Sequence, residues 1–261
     1  MNSHYLKYLV FACTVLLFIG GWWALAAAKN NYQQFAGPTQ TAAAFVNIFS
    51  NSALRGQLVA ALGVTLTSIL LGFVLAAIVG IPVGVLMGRY LFADYFLDPW
   101  VNAWYAIPAV AFVPLTMNWT GITSTTTVVV AFLIAVFSIT LNVYGGIKNL
   151  SKTLVDTAMS YRANQTQILF KVILPASLPN IMVGLRLGIS RAIEGVIIAE
   201  MFFAAIGIGG MIDYSADHLQ SATSDALIII LAIISIALTE CFKLINRRAV
   251  AWKESQAMVR E

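Results

Sequence analysis

Six apolar stretches, separated by short polar segments, limit what this chain can fold into. They run at about 8–28, 58–88, 99–118, 125–146, 172–205 and 224–246. A bilayer core needs roughly 20 apolar residues per helix. In hydrocarbon every backbone N–H and C=O must find its partner within the segment, so stretches of this length read as transmembrane α-helices. Of the residues 60% are hydrophobic and 10% charged, and the mean hydropathy is +0.85. Few soluble domains have such a composition. The chain is therefore expected to be an all-α membrane protein with about six spans.

The first stretch follows Lys7, and Ala24-Leu25-Ala26 resembles a cleavage site. Its apolar run exceeds the roughly 7–15 residues of a signal-peptide core, so it reads as an uncleaved anchor.

The pI near 9.1 does not point to nucleic acid, because the basic residues form no basic face. They sit in loops. Six spans put both termini on one side, together with Lys7, Arg89, Lys148, Lys152, Arg162, Lys171, Lys243, Arg247, Arg248, Lys253 and Arg260. Lys29 and Arg55 fall on the other side. The positive-inside rule makes the first side cytoplasmic. Residues 29–57 and 206–223 then face outward. The former carries Gly37-Pro38-Thr39 and a weak helical pattern at Ala42, Phe45, Val46 and Phe49, which suits a short surface helix. Cys13 and Cys241 lie within apolar helices and read as small core residues. His4 and His218 are isolated, and no spacing suggests a metal site.

Gly72, Ala76, Gly80, Gly84 and Gly88 recur every four residues in the second stretch. Gly184, Gly188 and Ala192 repeat the device in the fifth. Small residues at that spacing let helix backbones approach closely. Pro82 is expected to kink the second stretch, and Pro108 and Pro114 to kink or break the third. A broken helix at membrane depth needs protein or a cavity beside it, so the third stretch is a candidate pathway wall, with Tyr105, Pro108 and Phe112 facing it.

Arg186, Arg191, Glu194 and Glu200 all fall in the fifth stretch. Intramembrane ionisable groups are costly and point to function or to pairing. Arg191 and Glu194 are three apart and can pair on one helix face. Arg186 has no acid at that spacing and suits attraction of an anion. Glu200 and Met201 lie towards the outer end, before Gly207-Ile208-Gly209-Gly210, a flexible segment suited to an outer gate. Asp213, Asp217 and His218 follow in the outer loop. Glu194 and Glu200 also allow a second reading, a proton-coupled secondary transporter.

One polar stretch remains, at 151–170. Thr153-x-x-Asp156 fits a capping box that starts a helix near Leu154. Leu154, Ala158 and Tyr161 share one face, with Val155 and Met159 beside it. The pattern Asp156-Thr157-Ala158, then Arg162, then Ile173-Leu174-Pro175 resembles the cytoplasmic signature of ABC-importer permeases, Glu-Ala-Ala-x-x-x-Gly with a later Leu-Pro. Leu71-Gly72-Phe73, Gly80 to Gly88, Ala106-Ile107-Pro108-Ala109, Gly184-Leu185-Arg186-Leu187-Gly188 and Ala199-Glu200-Met201 are also similar to that family. The resemblance covers about 38–250 and is strongest to the sulfonate, taurine, nitrate and bicarbonate subgroup.

The resemblance implies a type I importer permease fold with a cytoplasmic coupling helix. Residues 1–37 would be an anchor and the start of the outer loop, 38–250 the transmembrane domain with a coupling segment at 151–175, and 251–261 a cytoplasmic tail. Asp156, Thr157, Ala158, Arg162, Ala163, Asn164, Gln165, Leu174 and Pro175 would serve the ATPase contact, with the coupling helix itself near 163–170. The implied partners are two ABC ATPases, an extracytoplasmic substrate-binding protein, a second permease copy and the bilayer of a bacterial inner membrane. The chain itself would be no enzyme and bind no cofactor or metal; ATP and Mg2+ would sit on the ATPases. It carries no Walker motif. Arg162 departs from the family glycine. If φ is positive there, arginine bears a steric cost, so either the turn differs or Arg162 adds an ionic contact to the ATPase.

Overall fold

The computed structural model describes residues 3–29, 35–203 and 207–257, with side chains described over 6–28, 35–202 and 207–244. All regular structure among them is helical. The elements are α1 (Ser3–Lys29), α2 (Pro38–Ser50), α3 (Ser52–Arg89), α4 (Leu91–Ala106), α5 (Phe112–Thr120), α6 (Ser124–Lys148), α7 (Lys152–Ser160), α8 (Gln165–Ile168), α9 (Leu174–Phe203), α10 (Gly207–Asp217) and α11 (Ser221–Ala257). Five helical runs are long and apolar enough to cross a membrane: Leu6–Ala28, Ser52–Arg89, Ser124–Lys148, Gln165–Phe202 and Ser221–Leu244. α4 and the segment Ala109–Thr120, bent by 93°, are together apolar enough for a sixth, broken span or for a re-entrant loop. Internal contacts divide the chain into two compact units, residues 1–63 with 201–233 and residues 64–200 with 234–261.

In the first unit, α2 starts as Gly37-Pro38 suggests. Gly37 is the extended N-cap, Pro38 takes the first helical position, and the Gly37 N–H donates to Gln40 Oε1 at 3.2 Å. The expected helix is there; Thr41 and Ile48 are its buried residues, Phe45 is half-buried, and Ala42, Val46 and Phe49 are exposed. The indole of Trp22 on α1 donates to the Ala36 carbonyl at 2.9 Å. The outer segment expected as a loop at 206–223 is mostly helix α10. Gly207, Ile208, Gly209 and Gly210 are all buried at its start, which makes them a packed helix end rather than a flexible gate. Cys13 and Cys241 are exposed, which corrects the core reading. A thiol is a weak donor, so leaving it towards lipid costs little.

The second unit is built around α6. On its α3 side, a Cβ added at Gly72 would lie 2.5 Å from Ala131 Cβ. One at Gly84 would lie 2.6 Å from the Thr140 carbonyl, and one at Gly88 2.7 Å from Ile147 Cβ. Ala76, in the same register, is fully buried. Towards α9, Gly184 meets Asn142 and Gly188 meets Ile139, where an added Cβ would lie 2.9 Å and 2.6 Å away. Ala192 is also fully buried. Two rows of small residues thus hold α3 and α9 against adjoining faces of α6, where Ile139 meets both Gly80 and Gly188. Lipid supplies no hydrophobic drive for this association, so close van der Waals approach has to. Polar bonds add to it: Thr127 Oγ1 donates to Ser68 Oγ at 3.0 Å and Thr140 Oγ1 to the Gly80 carbonyl at 3.3 Å.

The prolines behave unequally. α3 passes through Pro82 without interruption, held against α6 at Gly80 and Gly84. Pro114 is the third residue of α5, in the first turn, where a missing N–H is harmless. The break falls at Ile107-Pro108. Both residues are extended there, as the position before proline favours, and a 3₁₀ turn at Ala109–Ala111 follows.

Candidate functional site

The bend between α4 and α5 opens a cavity of about 290 Å3. Trp104, Tyr105, Pro108 and Phe112 form one wall, and Phe137 of α6 with Arg191 and Glu194 of α9 form another. The aromatic side is ordered by stacking, with Trp104 ring centroids 5.9 Å from Phe112 and 6.3 Å from Phe137. Arg191 and Glu194 form a salt bridge at 2.7 Å, one helical turn apart, with side chains 46% and 41% exposed. The cavity therefore offers a cation and an anion side by side against an aromatic surface.

The other span-five residues go elsewhere. Glu200 is fully buried and accepts the Thr65 hydroxyl, with its two oxygens 2.8 and 3.0 Å from Thr65 Oγ1. It does not line the cavity with Glu194. Arg186 is exposed on α9, and Met201 is exposed near its end. Neither borders the cavity.

At the end of this unit that carries Arg89 and Lys148, the polar segment is a surface element. α7 starts at Lys152 after the N-cap Ser151, two residues before the expected Leu154, and Thr153 and Asp156 form no capping box. Thr157 Oγ1 instead donates back to the Thr153 carbonyl at 2.7 Å. Val155 and Ala158 turn inward onto the core, while Leu154, Met159 and Tyr161 are exposed, Tyr161 by 84%. The expected common face of Leu154, Ala158 and Tyr161 is thereby split.

α7 closes on a Schellman turn. The Ala163 N–H donates to the Ala158 carbonyl at 3.1 Å and the Arg162 N–H to the Met159 carbonyl at 2.8 Å. Arg162 sits between them with φ +56°, so arginine occupies the left-handed position that glycine favours. The next helix begins with Asn164, whose side chain accepts from the Gln167 N–H at 2.8 Å while Gln167 Oε1 accepts from the Asn164 N–H at 2.9 Å. This capping box is the one the segment uses.

The helix expected at 163–170 is a single α turn, α8, which runs through a π turn at Leu169–Ile173 into α9. Pro175 has no N–H for the Lys171 carbonyl, which accounts for a widened ladder just ahead of it. α8, the π turn and α9 are thus one continuous helical run, Gln165–Phe202.

Two contacts at this end were not legible in the sequence. Arg89, the last residue of α3, donates to Gln165 Oε1 at the start of α8. Lys148, in the last turn of α6, pairs with Asp94 of α4 at 3.0 Å and bonds the Tyr144 hydroxyl. Sequence separations of 76 and 54 residues hide them. The only signal was a lone acid and lone bases at span ends.

Comparison with known proteins decides what this arrangement belongs to. Residues 80–252 match the family model of the binding-protein-dependent transport system inner membrane component. The chain belongs to that family. It is an inner-membrane, multi-pass permease of the ABC transporter class. A probable ABC transporter permease of Brucella abortus (strain 2308) is 31% identical over 236 residues, 90% of this permease and 92% of the relative. The taurine transport system permease of Escherichia coli K12 is 28% identical over 92% of this permease and 88% of its own length. The putative aliphatic sulfonates permease of Bacillus subtilis 168 is 32% identical over 82% and 78%. Among solved structures, the inward-facing MetNI methionine ABC transporter aligns with a TM-score of 0.66 at 19% identity, covering 76% of this permease and 99% of that chain. That likeness carries the fold: the aligned three quarters of this permease follows the helical architecture of that chain.

Proposed function

We propose that this permease moves a small anionic solute, such as a sulfonate, taurine or nitrate, across the inner membrane by alternating access driven by partner ATPases. The reading of the cargo is supported by the relatives named for taurine and aliphatic sulfonates, and by the exposed Arg191 beside the aromatic wall at Trp104 and Tyr105. Two copies would enclose the pathway, and an extracytoplasmic binding protein would deliver the solute at the side of α2 and α10. Both termini would be cytoplasmic.

Two ATPases would dock on 152–171. The observation that carries this is the outward display of Leu154, Met159, Tyr161 and Phe170 around Asp156 and Arg162. A polar segment that exposes large apolar side chains in this way is a surface built for a protein partner. Because α8 is continuous with α9, a push on this segment acts directly on the helix that bears Arg191 and Glu194. ATP and Mg2+ would stay on the ATPases, with no catalysis by this chain.

The test is purification of the tagged permease in mild detergent, mass spectrometry of what accompanies it, and an ATPase assay. A stoichiometric ATPase that is lost with Asp156→Lys is expected. Active transport by a preparation without any ATPase would sink the reading.

A further inference from the structure

A second cavity, of about 280 Å3, lies where α3 and α6 end, away from the bend at Pro108; Lys152 and Asp156 at the start of α7 border it, while Leu154, Met159 and Tyr161 do not. Its walls include Gly88 and Ile147, in the last turns of two spans, together with Val155 and Ile173. Its charged lining is Arg89, Lys148 and Lys152 against the single acid Asp156. Lys148 is already paired with Asp94, and Arg89 bonds the uncharged Gln165. Lys152 is exposed and forms no ion pair among the described residues. The cavity therefore keeps a net positive lining at the level where a membrane span ends.

We propose that this cavity holds the phosphate-bearing headgroup of an anionic phospholipid. Phosphate is held best by several cationic donors, and Arg89 and Lys152 border this one cavity from different elements. Basic pockets between spans at headgroup depth are suited to this. The apolar walls at Ile147 and Val155 then meet the glycerol and first acyl carbons, which a free phosphate would leave bare. Either orientation of the chain places the site at a leaflet surface, so the inference does not depend on which side is cytoplasmic. Since Arg89 also holds Gln165, the lipid and the start of α8 share one guanidinium.

Native mass spectrometry of the full chain in mild detergent, titrated with phosphatidylglycerol and with phosphatidylcholine, tests this. Phosphatidylglycerol is expected to be retained more strongly. Lys152→Gln should cut that retention about fivefold, the effect of one surface cation on an anionic lipid. Lys152 is exposed, so its replacement leaves the fold intact; Arg89→Gln should act in the same direction. Lys171→Gln, an exposed base outside the cavity, should change nothing. Equal retention of the two lipids would overturn the proposal. So would unchanged retention in Lys152→Gln, an equal loss in Lys171→Gln, or displacement of the lipid by millimolar inorganic phosphate, which would make this a free-anion site.

Discussion

Arg191 and Glu194 meet at 2.7 Å on one face of α9, and both remain close to half exposed. A pair so open contributes little to stability, about 0.5 kcal/mol or less. It borders the cavity at the α4–α5 bend, so its loss should be read in transport instead. Arg191→Gln is expected to lower uptake about tenfold, the order of one charged hydrogen bond, with normal amounts in the membrane. Uptake in cells normalised to membrane level measures it. A variant with full uptake would remove Arg191 from the pathway.

Glu200 and Thr65 behave oppositely. The carboxylate is fully buried and takes the Thr65 hydroxyl on both oxygens. Glu200→Gln keeps an acceptor and should retain ATP-driven uptake. Glu200→Leu removes both bonds and should destabilise the protein by about 1–3 kcal/mol, read as a lower melting temperature in detergent. In proteoliposomes lacking the ATPase, an imposed pH gradient should drive no uptake through either form. Gradient-driven uptake that Glu200→Gln abolishes would revive proton coupling.

Arg162 sits at φ +56° in the Schellman turn after α7. A non-glycine residue there bears a conformational cost of about 1 kcal/mol. Arg162→Gly should raise thermal stability by about that amount, whereas Arg162→Val should lower it, since β-branching suits that backbone least. Differential scanning fluorimetry of the three forms is the check. A more stable Val variant would mean that the turn had changed shape.

Gly84 separates from Gly145 in the same way. A Cβ at Gly84 would meet the Thr140 carbonyl at 2.6 Å and Val143 Cβ at 2.7 Å, while one at Gly145 meets nothing within 4 Å. Gly84→Ala should force α3 away from α6 at a cost of about 1–3 kcal/mol. Gly145→Ala should be neutral or stabilising by up to about 1 kcal/mol through helix propensity. Melting temperatures in one detergent compare them, and equal effects would contradict the close packing.

Much of the architecture could be read in advance because hydrocarbon leaves the backbone so few choices. The spans appear where apolar length requires them, and the break at Pro108 follows from the restriction proline imposes on Ile107. The small-residue rows at Gly72 to Gly88 and at Gly184 and Gly188 are visible as a period of four. Local capping was read less well. Thr153 and Asp156 formally fit a capping box, yet Ser151 starts α7, while Asn164 and Gln167 form the real one. The two sites belong to different helices, α7 and α8, and the spacing alone does not say which of them forms the reciprocal bonds. The expected flexible glycines at Gly207 to Gly210 became a buried helix start, since a glycine run permits either close packing or freedom and cannot by itself say which.

By itself the sequence determined that this is a helical membrane protein, where its spans lie, which rows of small residues pair helices, and, through Asp156, Ala158 and Leu174-Pro175, to which family it is similar. Those properties depend on neighbours within a few turns of one helix. Only the tertiary structure decided that Arg191 and Glu194 border the bend at Pro108 while Glu200 is sealed against Thr65. It alone joined Arg89 to Gln165 and Asp94 to Lys148. Such pairings depend on how separate helices are rotated and how far they slide along one another. That is settled by side-chain fit around α6, which no linear period encodes.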